Sequence, residues 1–199
     1  MGRSVRREPL LDPSPILAAL HRHAVRFVVV GGLAGNLHGS TTLTSDLDLV
    51  YARGSDDLDQ LSDALIELEA RLRGAPAHLP FHPDARTLKA GLNFTFVTKH
   101  GPLDCLGDAS GYTYDVLAPN AEWAELGAYR VQIAALDDLI RMKRAAGRLK
   151  DLIEVENLGK LRDVREEQGI FGLAEPGSGQ KRRAKVARRP RATAPKRRR

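Results

Sequence analysis

Residues 27–50 read FVVVGGLAGNLHGSTTLTSDLDLV: an apolar run, Gly31-Gly32, a polar connection, then a second apolar run carrying Asp46 and Asp48. Val25 to Val30 has the unbroken apolar character of a strand buried on both faces. The two glycines interrupt it, and residues 33–38 are expected to form a short helix before a second strand from Asp46 to Tyr51. In an extended strand alternate side chains share a face, so Asp46 and Asp48 point together while Leu47 and Leu49 point into a core. Two carboxylates on one rigid element suit a hard cation, and Mg²⁺ is the usual choice when phosphates complete its coordination. Glycines upstream allow backbone amides to approach those phosphates closely. The positive end of the short helix would face the same anion.

Outward from this stretch, the chain alternates short strands and helices. Pro13-Ser14-Pro15 predicts a helix start, with Ser14 as N-cap and Pro15 at the first helical position. Ser55 is expected to cap a long helix reaching Arg73, with Leu58, Leu61, Leu65, Leu68 and Leu72 at helical spacing. Leu92 to Val97 alternates as a strand, Lys99-His100-Gly101-Pro102 turns the chain, and Leu103 to Leu106 returns as its hairpin partner. Residues 107–127 read as loop. A last strand, Tyr129 to Ile133, precedes a helix from Leu136 to Ala146, a break at Gly147, and a second helix from Lys150 to Glu167. The order predicts an α/β (α+β) fold: a mixed β-sheet flanked by helices, with C-terminal helices against it.

Two blocks carry a family resemblance. The first is Gly31, Gly32, the Leu37-His38-Gly39-Ser40 turn and Thr44 to Val50, with thirteen residues between the glycine pair and Asp46. The second is Asp138 to Asp151, DLIRMKRAAGRLKD. Together they resemble the polymerase-beta-like nucleotidyltransferase superfamily, and within it the small bacterial AbiEii-type toxins and minimal nucleotidyltransferases. The resemblance implies a nucleotidyltransferase-like sheet, a third strand-borne acid, nucleotide (ATP or another NTP) binding, Mg²⁺ held by the acids, and a toxin-like role with tRNA or other RNA as acceptor and an antitoxin partner. Related sequences often carry a basic residue between the Gly-Ser turn and Asp-x-Asp, where this chain has Thr41-Thr42-Leu43-Thr44.

Asp104 is the expected third acid, because it alternates with Leu103 and Cys105 on a strand, while Asp108 and Asp115 sit in less regular sequence. A solvated turn pair is the plain alternative for Asp46 and Asp48. Acids flanked by apolar residues on a strand are costly, however, and metal binding would repay that cost. Gly31, Gly32 and Ser40 are expected to hold the β- and γ-phosphates. Lys143 lies on the apolar stripe of its helix with Leu136, Leu139 and Ile140, so it either snorkels past the core or reaches an anion in a cleft. Lys150 and Asp151 read as helix-start surface residues, with a site role left open by the second block. His38 reads as a packing residue, since no second histidine lies at ligand spacing for zinc.

The chain's 199 residues and 42% hydrophobic content suit one domain with a real core. Eleven of the 31 Lys and Arg lie in residues 181–199, which contain no acid; the other 20 face all 25 acids, so residues 1–180 carry about −5. The expected division is a flexible N-terminus (1–13), a nucleotidyltransferase domain (14–170), a linker (171–180) and a disordered basic tail (181–199). Such a tail attracts RNA or DNA phosphates without reading bases, for it carries no aromatic residue to stack. With no membrane-spanning run, no evident secretory signal and one cysteine, a cytoplasmic location is expected. The competing reading is a non-catalytic nucleotide- or nucleic-acid-binding protein on a degenerate transferase fold.

Overall fold

The structure, a computed structural model, describes residues 9–76 and 81–170. The expected linker and basic tail lie outside the described residues, as do residues 1–8 of the expected flexible N-terminus.

The strands are β1 (Phe27–Val30), β2 (Leu47–Tyr51), β3 (Arg71–Leu72), β4 (Asn93–Thr98), β5 (Gly101–Leu106), β6 (Glu122–Leu126) and β7 (Tyr129–Ile133). They form one mixed sheet in the order β3-β4-β5-β2-β1-β7-β6. β1 and β2 run antiparallel, β2 pairs parallel with β5, and β4 and β5 form the expected hairpin. The helices are α1 (Pro13–Arg22), α2 (Gly31–His38), α3 (Ser55–Glu67), α4 (Ala85–Ala90), α5 (Tyr114–Leu117), α6 (Leu136–Ala146) and α7 (Leu149–Glu167). α1 packs on α3 and α3 on α4, while α2 packs on α6 and α6 on α7. The expected mixed sheet with flanking helices is the fold observed.

All four residues of β1 are buried, as an unbroken apolar strand requires. Leu47, Leu49, Leu103 and Cys105 are fully excluded from solvent. Each large apolar side chain so buried contributes about 1.5–3 kcal/mol. The two strands bearing the acids are thus anchored through their opposite face.

Several boundaries differ from expectation. Asp12, rather than Ser14, caps α1, its carboxylate accepting from the Ser14 N–H at 3.2 Å. α3 stops at Glu67, not Arg73: Glu69 adopts φ +51° and Leu72 pairs in β3. Its cap comes from the far side, with the Asp57 carboxylate accepting the Gly54 N–H at 3.0 Å. The stretch 107–127 contains α5 and β6, where loop is expected. α6 follows expectation and ends on Gly147, whose φ of +66° lets the chain leave the helix.

Candidate active site

The pairing of β2 with β5 sets Asp48 directly beside Asp104, Leu49 beside Cys105 and Leu47 beside Leu103. Asp46 sits one residue before β2, on the Asp48 side of the pleat. One carboxylate oxygen from each of Asp46, Asp48 and Asp104 lies within 4.8 Å of the others. All three side chains are half-buried and line one cleft of about 660 Å³. That volume suits a small-molecule ligand. The donors are carboxylate oxygens only, which fits a hard cation such as Mg²⁺ and not a soft one.

Gly31 and Gly32 form the cleft wall where β1 enters α2. Gly31 has φ +67°, and a Cβ there would stand 2.0 Å from Asp48 Oδ2; at Gly32 it would stand 2.8 Å from the Thr44 side chain. Both positions therefore require glycine, because the acid and the threonine pack against bare backbone. No side chain caps the start of α2, so its first N–H groups point out of the helix end unpaired by a cap. Thr44 Oγ1 donates to Asp46 Oδ1 at 3.0 Å and holds that carboxylate.

Burial pushes the Asp48 carboxyl up to about 7, with Asp46 and Asp104 adding to the rise and Lys143 and Lys150 opposing it. Two neighbouring acids and little water make the ionised form costly without a cation. Cys105, on the opposite face of β5, is fully buried, and burial pushes its thiol far above the ordinary range. It is inert as a nucleophile at neutral pH.

Opposite the acids, the α6–α7 junction brings Lys143, Arg148 and Lys150 to the cleft. Lys143 is buried, hydrogen-bonds Glu154, and lies 4.0 Å from Asp151. Arg148 Nε donates to Asp151 Oδ2 at 2.5 Å. Burial raises the Asp151 carboxyl, but Arg148, Lys143 and Lys150 outweigh it and hold the group below the usual range. α7 thus buries Asp151 and Glu154 at its start because Lys143 and Arg148 meet them there.

The structure brings Gly31, Gly32, Asp46, Asp48, Asp104 and Lys143 to one cleft. It does not bring Ser40 there. The Ser40 hydroxyl donates to Thr42 Oγ1 at 3.2 Å and faces a separate hollow beside Lys160 and Leu161. Asp108 reaches the rim of the main cleft, where Asp115 does not. His38 is buried and its Nε2 donates to the Ala134 carbonyl at 2.8 Å, a packing role. Sequence reasoning missed Arg73, whose Nη2 donates to Asp104 Oδ1 at 2.9 Å. Placing it at the end of α3 hid it, and no local signal links residues 31 positions apart. Arg148 was missed too, although its place at a helix start after Gly147 hinted at a turn side chain.

Comparison with known proteins returns neither a matching family model nor a matching curated protein. Among solved structures, the lincosamide antibiotic adenylyltransferase LnuA with lincomycin bound is similar at 11% identity and TM-score 0.50, covering 76% of this chain and 99% of that one. The antibiotic-resistance factor ANT(2'')-Ia is similar at 15% identity and TM-score 0.47, covering 78% and 90%. Its complex with adenylyl-2''-tobramycin is similar at 16% identity and TM-score 0.46, covering 78% and 95%. The architecture is that of a nucleotidyltransferase fold, with an acidic triad at its cleft.

Proposed function

We propose that this chain is a Mg²⁺-dependent nucleotidyltransferase that moves a nucleoside monophosphate from an NTP to an acceptor hydroxyl and releases pyrophosphate. One observation carries the reading: three carboxylates converge within 4.8 Å beside a wall where only glycine fits. The elevated Asp48 carboxyl supports it, since an acid costly to ionise alone gains most from a cation.

Asp46, Asp48 and Asp104 would hold the metal, which when bound polarises the phosphoryl group and offsets charge on the attacking and departing oxygens. The amides of Gly31 and Gly32, with the positive end of α2, receive phosphate oxygens. Arg148 and Lys150 neutralise the triphosphate, and Lys143, fixed by Glu154, adds its field behind them. The acceptor oxygen bonds to the α-phosphorus as the bond to the bridging oxygen breaks. Asp104 takes the acceptor proton. Ser40 lies outside this set and is not assigned a phosphate.

The acceptor we favour is RNA, tRNA included, drawn by the eleven basic residues of 181–199, with a toxin-like role, a cytoplasmic location and an antitoxin partner. The test is transfer from α-labelled NTPs with Mg²⁺ to total RNA, to protein and to small hydroxylated antibiotics, comparing wild type with Asp46→Ala and Asp48→Ala. Label on RNA, lost in both variants, supports the reading. Label on a small molecule instead overturns the RNA acceptor alone. NTP binding without transfer to any acceptor class overturns the enzyme and favours a binding protein on the same fold.

A further inference from the structure

The sheet places one residue in line with the acids that the mechanism above does not use. β3 pairs with β4 so that Arg71 lies beside Val97 and Leu72 beside Phe96, and the Arg73 N–H continues the ladder by donating to the Thr95 carbonyl at 2.9 Å. Thr95 in turn lies beside Asp104, and Asp104 beside Asp48. Arg73, one residue past β3, thus stands in one row with Thr95, Asp104 and Asp48 on β4, β5 and β2, and residues in such a row share a face of the sheet. Neighbouring strands lie about 4.8 Å apart, so an arginine two strands away reaches a carboxylate only if the residue between is short. Thr95 is short and exposed, and the guanidinium passes over it to Asp104 Oδ1 at 2.9 Å. A second contact, 3.5 Å to the Phe96 carbonyl, ties the same nitrogen to backbone. Arg73 Nε is buried and has no hydrogen-bond partner among the described residues.

We infer that Arg73 is a positioning residue: it fixes the Asp104 carboxylate within the triad and moderates the triad's grip on a divalent cation. The inference rests on the proposed metal site. The ion pair lies largely out of water, with side-chain exposures of 28% for Arg73 and 15% for Asp104. A cation so placed repels a bound divalent ion while holding one of its ligands still. The first effect weakens metal binding, and the second keeps the third acid aimed. Arg73 does not line the cleft, so its contact with the triad runs through Asp104 while its charge reaches the cation site through space.

The test is Mn²⁺ binding, measured by calorimetry or by the free-ion paramagnetic signal, on the full chain without nucleotide. Arg73→Ala is expected to tighten Mn²⁺ roughly three- to tenfold, because relief of repulsion between a unit charge and a divalent ion outweighs one loosened ligand. Arg73→Lys, which keeps the charge, is expected to bind as wild type does. A purely structural role would not tighten binding. Circular dichroism and the melting temperature identify a folded variant, and Arg73→Gln serves if Arg73→Ala does not fold. Mn²⁺ affinity that is unchanged or weaker in the folded neutral variant overturns the inference. Failure of the wild type to bind Mn²⁺ at all would instead remove the metal site itself, and Asp46→Asn, expected to abolish binding, separates the two failures.

Discussion

Gly31 and Asp48 are tied to each other at the level of single atoms. A methyl at position 31 would meet Asp48 Oδ2 at 2.0 Å and force a side-chain residue into φ +67°. The left-handed conformation alone costs about 1–2 kcal/mol for a non-glycine residue. Gly31→Ala is therefore expected to lose at least that much stability in urea melts and most transfer activity. An unaltered melt would mean that the turn relaxes freely. Asp48 supplies a pH signature. Its folded carboxyl, near 7, lies above the unfolded value of about 3.9, so the folded state holds the extra proton. The stability this group contributes is complete below about pH 4 and is lost as pH rises through about 7 in metal-free protein. Asp48→Asn should flatten that fall in a series of melts. Metal competes with the same proton, so wild-type Mn²⁺ affinity should climb between pH 6 and 8; a flat profile would deny Asp48 a place among the ligands.

The elements differ in how legible they were. β1, α2, β2, β5 and α6 carry their own signals: apolar runs, a glycine pair, alternation around Asp104, and a Leu136–Ile140 stripe ended by Gly147. β3 and β6 do not. β3 is two residues long, and β6 (EWAEL) buries only Ala124 and exposes Trp123 and Glu125, so its strand character comes from pairing with β7. The cationic wall was legible only in part, since Lys143 stood out on an apolar stripe but its partners arrive from α7. That junction is testable as a unit. Lys143 and Glu154 are both buried, and removing one partner of such a pair costs about 3–5 kcal/mol because the other charge is stranded. Glu154→Ala should show that loss in denaturant melts, tempered by Asp151 at 4.0 Å from the lysine, and Lys143→Met combined with Glu154→Leu should recover most of it. A loss in the double variant equal to the sum of the two single losses would argue against a coupled pair.

At the scale of the molecule, charge separates by region. The acids outnumber the bases over residues 1–180, yet the chain as a whole is +6. If residues 181–199 recruit RNA, deleting them weakens RNA affinity at low salt, shrinks its dependence on salt, and spares NTP binding. Equal affinity of the two forms in a filter-binding salt series would reject the recruitment. No described helix is long and apolar enough to cross a membrane. The seven-stranded sheet packs Leu47, Leu49, Leu103 and Cys105 away from solvent on one face of β2 and β5, and from the other face Asp46, Asp48 and Asp104 reach the cleft.

Anomalous diffraction from crystals grown with Mn²⁺ and a non-hydrolysable NTP tests this most directly. Peaks bridging Asp46, Asp48 and Asp104, with the triphosphate against Gly31 and Gly32, are the predicted result. Nucleotide bound elsewhere, or a cleft with no anomalous peak at saturating Mn²⁺, would contradict it.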